Sequence, residues 1–279
     1  AMLDARGAAF DAAGVRLLAA PGGVAHLTAA GEWRLYTGAE GLPHNDFTGV
    51  AAGGQPWFAT RLGAIRFDGK DFRYRQGRRY LPADGVRAAA VAPDGSAWFA
   101  TGDGVGVIRQ RMTSFVEKAR FLEQEIDKYH RRTPYEYVLE VALEQPGDKS
   151  RFRQHDSDND GLWTSMYGAG ECFAYAATKD PQARARAKKA VEAMYFLGEV
   201  TRGGSHPAPR GFVARTVLPV SGPDPNASAY TPARDEERRR TRDARWKVMD
   251  PRWPKSADGQ WYWKSDTSSD ELDGHYFLY

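Results

Sequence analysis

The sequence predicts a multidomain β + α chain, with partial β-propeller blades over residues 1–110 followed by a helical domain over 111–279. Two observations predict it. Trp57-Phe58-Ala59-Thr60 recurs as Trp98-Phe99-Ala100-Thr101, 41 positions later. A period near 40 with short strands and turn residues marks propeller blades. After Arg111 the apolar spacing changes to the 3.6-residue period of helices.

The repeat extends beyond its tryptophans. Gly53-Gly54-Gln55-Pro56 and Asp94-Gly95-Ser96-Ala97 are turns ahead of the two motifs, and Gly63–Phe67 and Gly104–Ile108 are short strands behind them. Glu32-Trp33-Arg34 matches Asp71-Phe72-Arg73, and Leu42-Pro43 matches Leu81-Pro82. With Gly41-Leu42-Pro43-His44-Asn45-Asp46, this rhythm resembles the propeller repeats of two-component regulators over roughly residues 10–110. Two to three blades fit here. A ring of at least four needs about 160 residues, and an open stack exposes strand edges. The expectation is that further propeller segments belong to the full-length chain, ahead of this N-terminus, or that the blades lean on the helical region.

In the second half, Ser114 and Glu117 are placed as a capping box for a helix over about 113–131, with Phe115, Ala119, Leu122 and Ile126 on one face. Residues 132–163 read as mostly loop. A helix over 165–178 carries Met166, Gly170, Phe173, Ala174 and Ala177 on one face, with Cys172 expected as a small buried residue. Asp180 as N-cap and Pro181 as first residue open a helix over 182–200. The short connection makes the two helices antiparallel neighbours. Residues 201–228 read as loop and 233–246 as a charged helix with a solvated arginine face. A last helix starts at Ser268, where Ser268-Ser269-Asp270-Glu271 is a second capping box. Its stripe of Leu272, Tyr276 and Tyr279 runs to the last residue, which reads as a truncation.

Composition bounds the function. A formal charge of +3 gives no general case for nucleic acid. No apolar run approaches the roughly 20 residues of a membrane span. The single cysteine excludes an intramolecular disulfide framework. No nucleotide-binding glycine loop, serine-hydrolase elbow or CxxC pair is present.

From Met112 onward several motifs occur in order: Lys118-Ala119, Tyr129-His130-Arg131-Arg132, Pro146-Gly147-Asp148-Lys149-Ser150, Asp158-Asn159-Asp160-Gly161-Leu162-Trp163-Thr164, Gly211-Phe212-Val213-Ala214-Arg215 and Lys264 through His275. This order resembles bacterial proteins that join regulator-type propeller repeats to an (α/α) toroid like those of polysaccharide lyases and uronide-processing glycosidases. The resemblance implies an incomplete toroid-like domain, because the helices predicted here are too few to close one. It implies a carbohydrate ligand containing uronate, a lyase or glycoside hydrolase activity, and a periplasmic or extracellular location by analogy. The alternative is a non-enzymatic glycan-sensing module, since such propellers belong to sensor proteins.

Two clusters are candidates for the site. Asp156, Asp158 and Asp160 with Gly161 match the first half of a calcium loop, but Tyr167 stands where the bidentate glutamate belongs. Three readings stay open for them: calcium, a substrate site with Asp158 or Asp160 as acid or base and Trp163 as a stacking platform, or capping of the following helix. The second cluster is Lys264, Asp266, Asp270, Glu271 and His275. Glu271 and His275 lie four apart on one helical face and could bind a metal or move protons, or simply pair with each other. Arg215 suits a uronate carboxylate, which a guanidinium grips in a fork. Tyr167 is the candidate for the tyrosine that many lyases use as proton donor. In a lyase, Arg215, Lys264 or calcium would neutralise the enolate charge. In a hydrolase, Asp160 and Asp270 or Glu271 would flank the bond.

Overall fold

The computed structural model describes residues 4–10, 16–28, 30–154, 158–227 and 231–279. The chain divides into two compact units, Ala1–Ser114 with Gln145–Asp148 and Phe115–Glu144 with Lys149–Tyr279.

The first unit holds three antiparallel sheets that follow chain order. Strands β1 (Gly7–Phe10), β2 (Arg16–Ala20), β3 (Gly23–Leu27) and β4 (Trp33–Tyr36) form one. Strands β5 (Phe47–Ala51), β6 (Trp57–Thr60), β7 (Gly63–Phe67) and β8 (Phe72–Arg75) form the second. The third has β9 (Val86–Val91), β10 (Ala97–Thr101) and β11 (Gly104–Ile108). The sequence repeat is thus a repeat of blade-like sheets, and the described strands do not make a closed propeller. Local chemistry repeats too. Thr60 Oγ1 donates to the Gly63 carbonyl at 2.7 Å, and Thr101 Oγ1 to the Gly104 carbonyl at 2.8 Å.

Packing explains why one motif has two environments. Leu17, Val24, Phe47, Phe58 and Ile65 fill the space between the first and second sheets. Trp57, Ala64, Leu81, Val86 and Phe99 fill that between the second and third. The second sheet is therefore covered on both faces, and every residue of β6 is buried. Trp57 is 2% exposed, whereas Trp98, on the uncovered face of the third sheet, is 42% exposed.

The second unit begins with α1 (Phe115–Glu125), which continues into a π turn over Ile126–His130. Strand β12 (Arg131–Arg132) pairs with β13 (Tyr137–Val138), and β14 (Val141–Gln145) with β15 (Asp148–Gln154). Helices α2 (Asp160–Thr178) and α3 (Pro181–Glu199) follow. Strand β16 (Val217–Pro219) precedes α4 (Pro232–Thr241) and pairs with β17 (Trp261–Trp263). Helix α5 (Ser269–Leu278) comes last. Asp180 caps α3 through the Gln182 N–H at 2.9 Å.

Several expectations are corrected. Residues 132–163 contain four short strands rather than mostly loop. Strand β15 is exposed at every position and carries no apolar alternation, so its pairing leaves no pattern to read. Residues 201–228 include β16. The charged helix stops at Thr241, and Trp246 folds back to donate to Asp235 Oδ1 at 2.9 Å. Helix α2 starts at Asp160 and buries its small face of Gly161, Thr164, Ser165, Gly168 and Ala169. Met166, Phe173 and Cys172 are exposed instead. Small residues win because the helices approach closely: a Cβ on Gly168 would come within 2.7 Å of the Ala190 Cβ. The stripe on α1 is not core either, since none of its residues is buried.

Candidate functional site

Three distant segments meet at the start of α2. Arg215 Nε donates to the Asp158 carbonyl at 2.8 Å, and Lys264 Nζ donates to Asp158 Oδ1 at 2.6 Å. The Leu162 N–H donates to Glu271 Oε2 at 2.9 Å. The aspartate run, Arg215 and the 264–275 cluster therefore converge. Asp156 lies outside the described residues.

The aspartates have different duties. Asp160 is 1% exposed and forms an ion pair with Arg132 of β12. Its Oδ2 also accepts from Thr216 Oγ1 at 2.6 Å and from the Val217 N–H at 3.3 Å. It ties α2 to β12 and β16 and has no face toward solvent. Asp158 has φ 62° and is half-exposed, with its carboxylate on Lys264. Lys264 thus holds one oxygen of Asp158, and Arg132 one oxygen of Asp160. Among the described residues no three His, Cys, Asp or Glu side chains are placed to hold a metal ion.

Behind Asp158 runs a ladder of alternating charge. Lys264 bonds Asp158 and lies 3.6 Å from Asp266 Oδ1. Asp266 pairs with Arg252, and Arg252 pairs with Asp235 at 2.8 Å. Burial pushes the Asp235 carboxyl up, but its bonds from Trp246 and Arg252 hold it below the usual range. Lys264, Arg252 and Asp235 are all buried. Such pairs are costly to break because the remaining charge has no water.

Glu271 and His275 are placed as the spacing predicts, on one face of α5 and both buried. The capping box does not form. Ser268 is the N-cap without a side-chain capping bond to the backbone, and Glu271 reaches across to α2. Burial pushes the Glu271 carboxyl up to about 8, and burial lowers the His275 imidazole to about 4. Both are thus uncharged at neutral pH. They flank Gly161, whose absent Cβ would overlap Glu271 Oε2 and lie 3.2 Å from His275 Nε2. Asp270 next door is exposed, and Ser268 and then the charge of Arg215 hold it below the usual carboxyl range.

Tyr167 and Trp163 belong elsewhere. The Tyr167 hydroxyl donates to Glu123 at 2.6 Å and accepts from Arg131 at 2.8 Å. Burial, then Glu123, pushes its pKa up. Asp127 and Arg186 complete that cluster. Trp163 is exposed on α2.

Beside the ladder opens a cleft of about 270 Å³. Arg215, Arg245, Lys247 and Trp246 line it, with Asp243 and Asp266 as its acids. Asp266 is already paired with Arg252, so the wall is net cationic. Among the described residues Arg215 bonds carbonyl oxygens of Asp158 and Asp266 rather than a carboxylate. Sequence reasoning reached Arg215 and Asp266 but missed Arg245, Trp246, Lys247 and Arg252. The signal was an aromatic between two cations in Arg245-Trp246-Lys247, hidden behind a charge run that reads as solvated.

No family model and no curated protein matches the chain. It is similar to a solved extracellular domain of a hybrid two-component system from B. thetaiotaomicron, at 25% identity and a TM-score of 0.32, over 37% of this chain and 15% of that one. It is also similar to virginiamycin B lyase from Staphylococcus aureus, at 17% identity and a TM-score of 0.28, over 38% of this chain and 41% of that one. A third likeness is to the extracellular domain of a one-component system from B. thetaiotaomicron, at 13% identity and a TM-score of 0.18, over 38% of this chain and 22% of that one. The chain thus spans less than half the length of each. Among the described residues no helix is long and apolar enough to cross a membrane.

Proposed function

We propose that the second unit binds an acidic carbohydrate, with a uronate carboxylate as the group recognised. The observation that carries this is Arg215. Its guanidinium is fixed by two main-chain carbonyls at the edge of a cationic cleft that also presents Trp246. A guanidinium held in place loses little entropy when it grips a carboxylate. Arg238 lies over the Trp246 ring at 3.7 Å and Arg252 at 4.9 Å, so the indole anchors the cationic wall through its π face.

Binding without cleavage fits the carboxyl groups best. Asp160 is committed to Arg132, and Glu271 is fully buried. Asp270 is exposed but held as a weak base. A second reading, a lyase or hydrolase, draws on one observation. Glu271 keeps its proton to about pH 8 while its neighbour Asp270 is ionised, the split that acid–base pairs use.

The test is calorimetric titration with a galacturonate oligosaccharide. Losing a charged hydrogen bond of about 1.5–3 kcal/mol predicts that Arg215→Ala weakens binding roughly tenfold to a hundredfold. Arg215→Lys, with its melting curve as control, should retain part of it. Unchanged affinity in a folded Arg215→Ala protein overturns the assignment. Growth of ultraviolet absorbance from a new C=C bond during incubation would move the account to the lyase reading.

A further inference from the structure

The three sheets of the first unit are not equivalent at their outer edge. In the first sheet β3 pairs with β4, and in the second β7 pairs with β8. Among the described residues β11 has only β10 as a partner. A glycine opens each of these third strands, at equivalent places in the repeat: Gly23, Gly63 and Gly104. All three have nearly the same backbone, with φ of 130°, 130° and 128°.

In two sheets the reason for glycine is visible. A Cβ on Gly23 would overlap the Tyr36 carbonyl oxygen, and one on Gly63 would lie 2.5 Å from the Arg75 carbonyl oxygen. Both oxygens belong to the fourth strand. At Gly104 a Cβ would meet nothing within 4 Å. The residue and the conformation that admit a fourth strand are kept where no fourth strand lies. The side-chain environment agrees. Leu27 faces Trp33 across the strands and Phe67 faces Phe72, the latter two rings stacked at 4.7 Å. Ile108 is the equivalent of Leu27 and Phe67. Val105 beside Gly104 is 61% exposed.

We propose that the outer edge of β11 is a docking site for an extended strand supplied by a separate polypeptide. The chemistry of the occupant follows from β4 and β8. Both fourth strands open with acid–aromatic–arginine, as Glu32-Trp33-Arg34 and Asp71-Phe72-Arg73. The incoming strand runs antiparallel to β11, with its aromatic residue opposite Ile108 and its last carbonyl over Gly104. Its acidic first residue falls beside Arg109, as Asp71 stands beside Asp68 in the second sheet, so the acid and Arg109 are complementary in charge. Main-chain bonds provide the attraction in such strand addition, and the alternating side chains select the partner.

The experiment is amide hydrogen exchange of the whole chain, read at residues 104–108, with the peptide Asp-Phe-Arg-Tyr-Arg as probe. The control, Asp-Phe-Pro-Pro-Arg, loses two successive N–H groups, one of which must face the ladder. At about ten times its Kd the probe should slow exchange of the β11 amides about tenfold and leave β3 and β7 unchanged. The proline peptide should have no effect. Equal protection by both peptides, or none by either at millimolar concentration, overturns the proposal. Protection that grows with protein concentration alone, with dimers in sedimentation, also overturns it, because the edge is then filled by a second copy.

Discussion

Replacing Glu271 with glutamine isolates one buried proton. The folded carboxyl keeps its proton to about pH 8, against an ordinary value of 4.5. The folded state therefore binds more protons than the unfolded chain across that window. Its stability is full below 4.5 and falls as pH rises toward 8, by about 1.4 kcal/mol per pH unit for this group. Over the window the loss is on the order of 4–5 kcal/mol, an upper bound because buried sites relax. His275 has the opposite sign. Its folded value of about 4 lies below the ordinary 6.5, so its contribution is lost as pH falls from 6.5 toward 4. The two slopes offset each other between about 4.5 and 6.5, which leaves the Glu271 loss visible mainly above 6.5. Glutamine keeps a carbonyl for the Leu162 N–H but cannot ionise. Urea unfolding of both proteins at pH 5, 6, 7 and 8 measures the difference, which cancels every other titrating group. The Glu271→Gln protein should gain on the wild type steadily across the series. A constant difference from pH 5 to 8 would falsify the claim that this carboxyl is buried and protonated.

Arg252→Ala strands Asp235 and Asp266 without their guanidinium, so urea unfolding should show a loss of about 3–5 kcal/mol. Adding Asp235→Asn should recover part of it; no recovery means the arginine acts through packing alone. Trp57→Ala should cost about 3–5 kcal/mol, whereas Trp98→Ala in the same motif should cost only about 1 kcal/mol. Equal losses in thermal melts would contradict the stacking of sheets that covers one tryptophan and not the other.

What the sequence revealed depended on the kind of physics each residue obeys. The blades were legible because turns and strand starts repeat local chemistry, as at Thr60 and Thr101. Helix α3 was legible from Asp180, Pro181 and its buried alanines. Helix α2 was misread because its large apolar residues are on the exposed side. Its core face is made of glycine, serine and threonine, whose importance appears only once α3 and α5 press against it. Glu271 shows the same limit. Sequence spacing offered it a local bond at its own helix start, and a bond to α2 that no local pattern encodes took its place. Arg132, Asp235 and Arg252 left no signal, because a buried charge is identified by its partner and those partners are far along the chain.

The central claim is that a fixed guanidinium in a cationic cleft recognises a sugar carboxylate. The most direct measurement is calorimetric titration of the wild-type protein with an oligogalacturonate and with its methyl ester, which keeps the ring and removes the charge. The account predicts binding of the acid, weakened at least tenfold by esterification and reduced further by added salt. Equal affinity for acid and ester would contradict it.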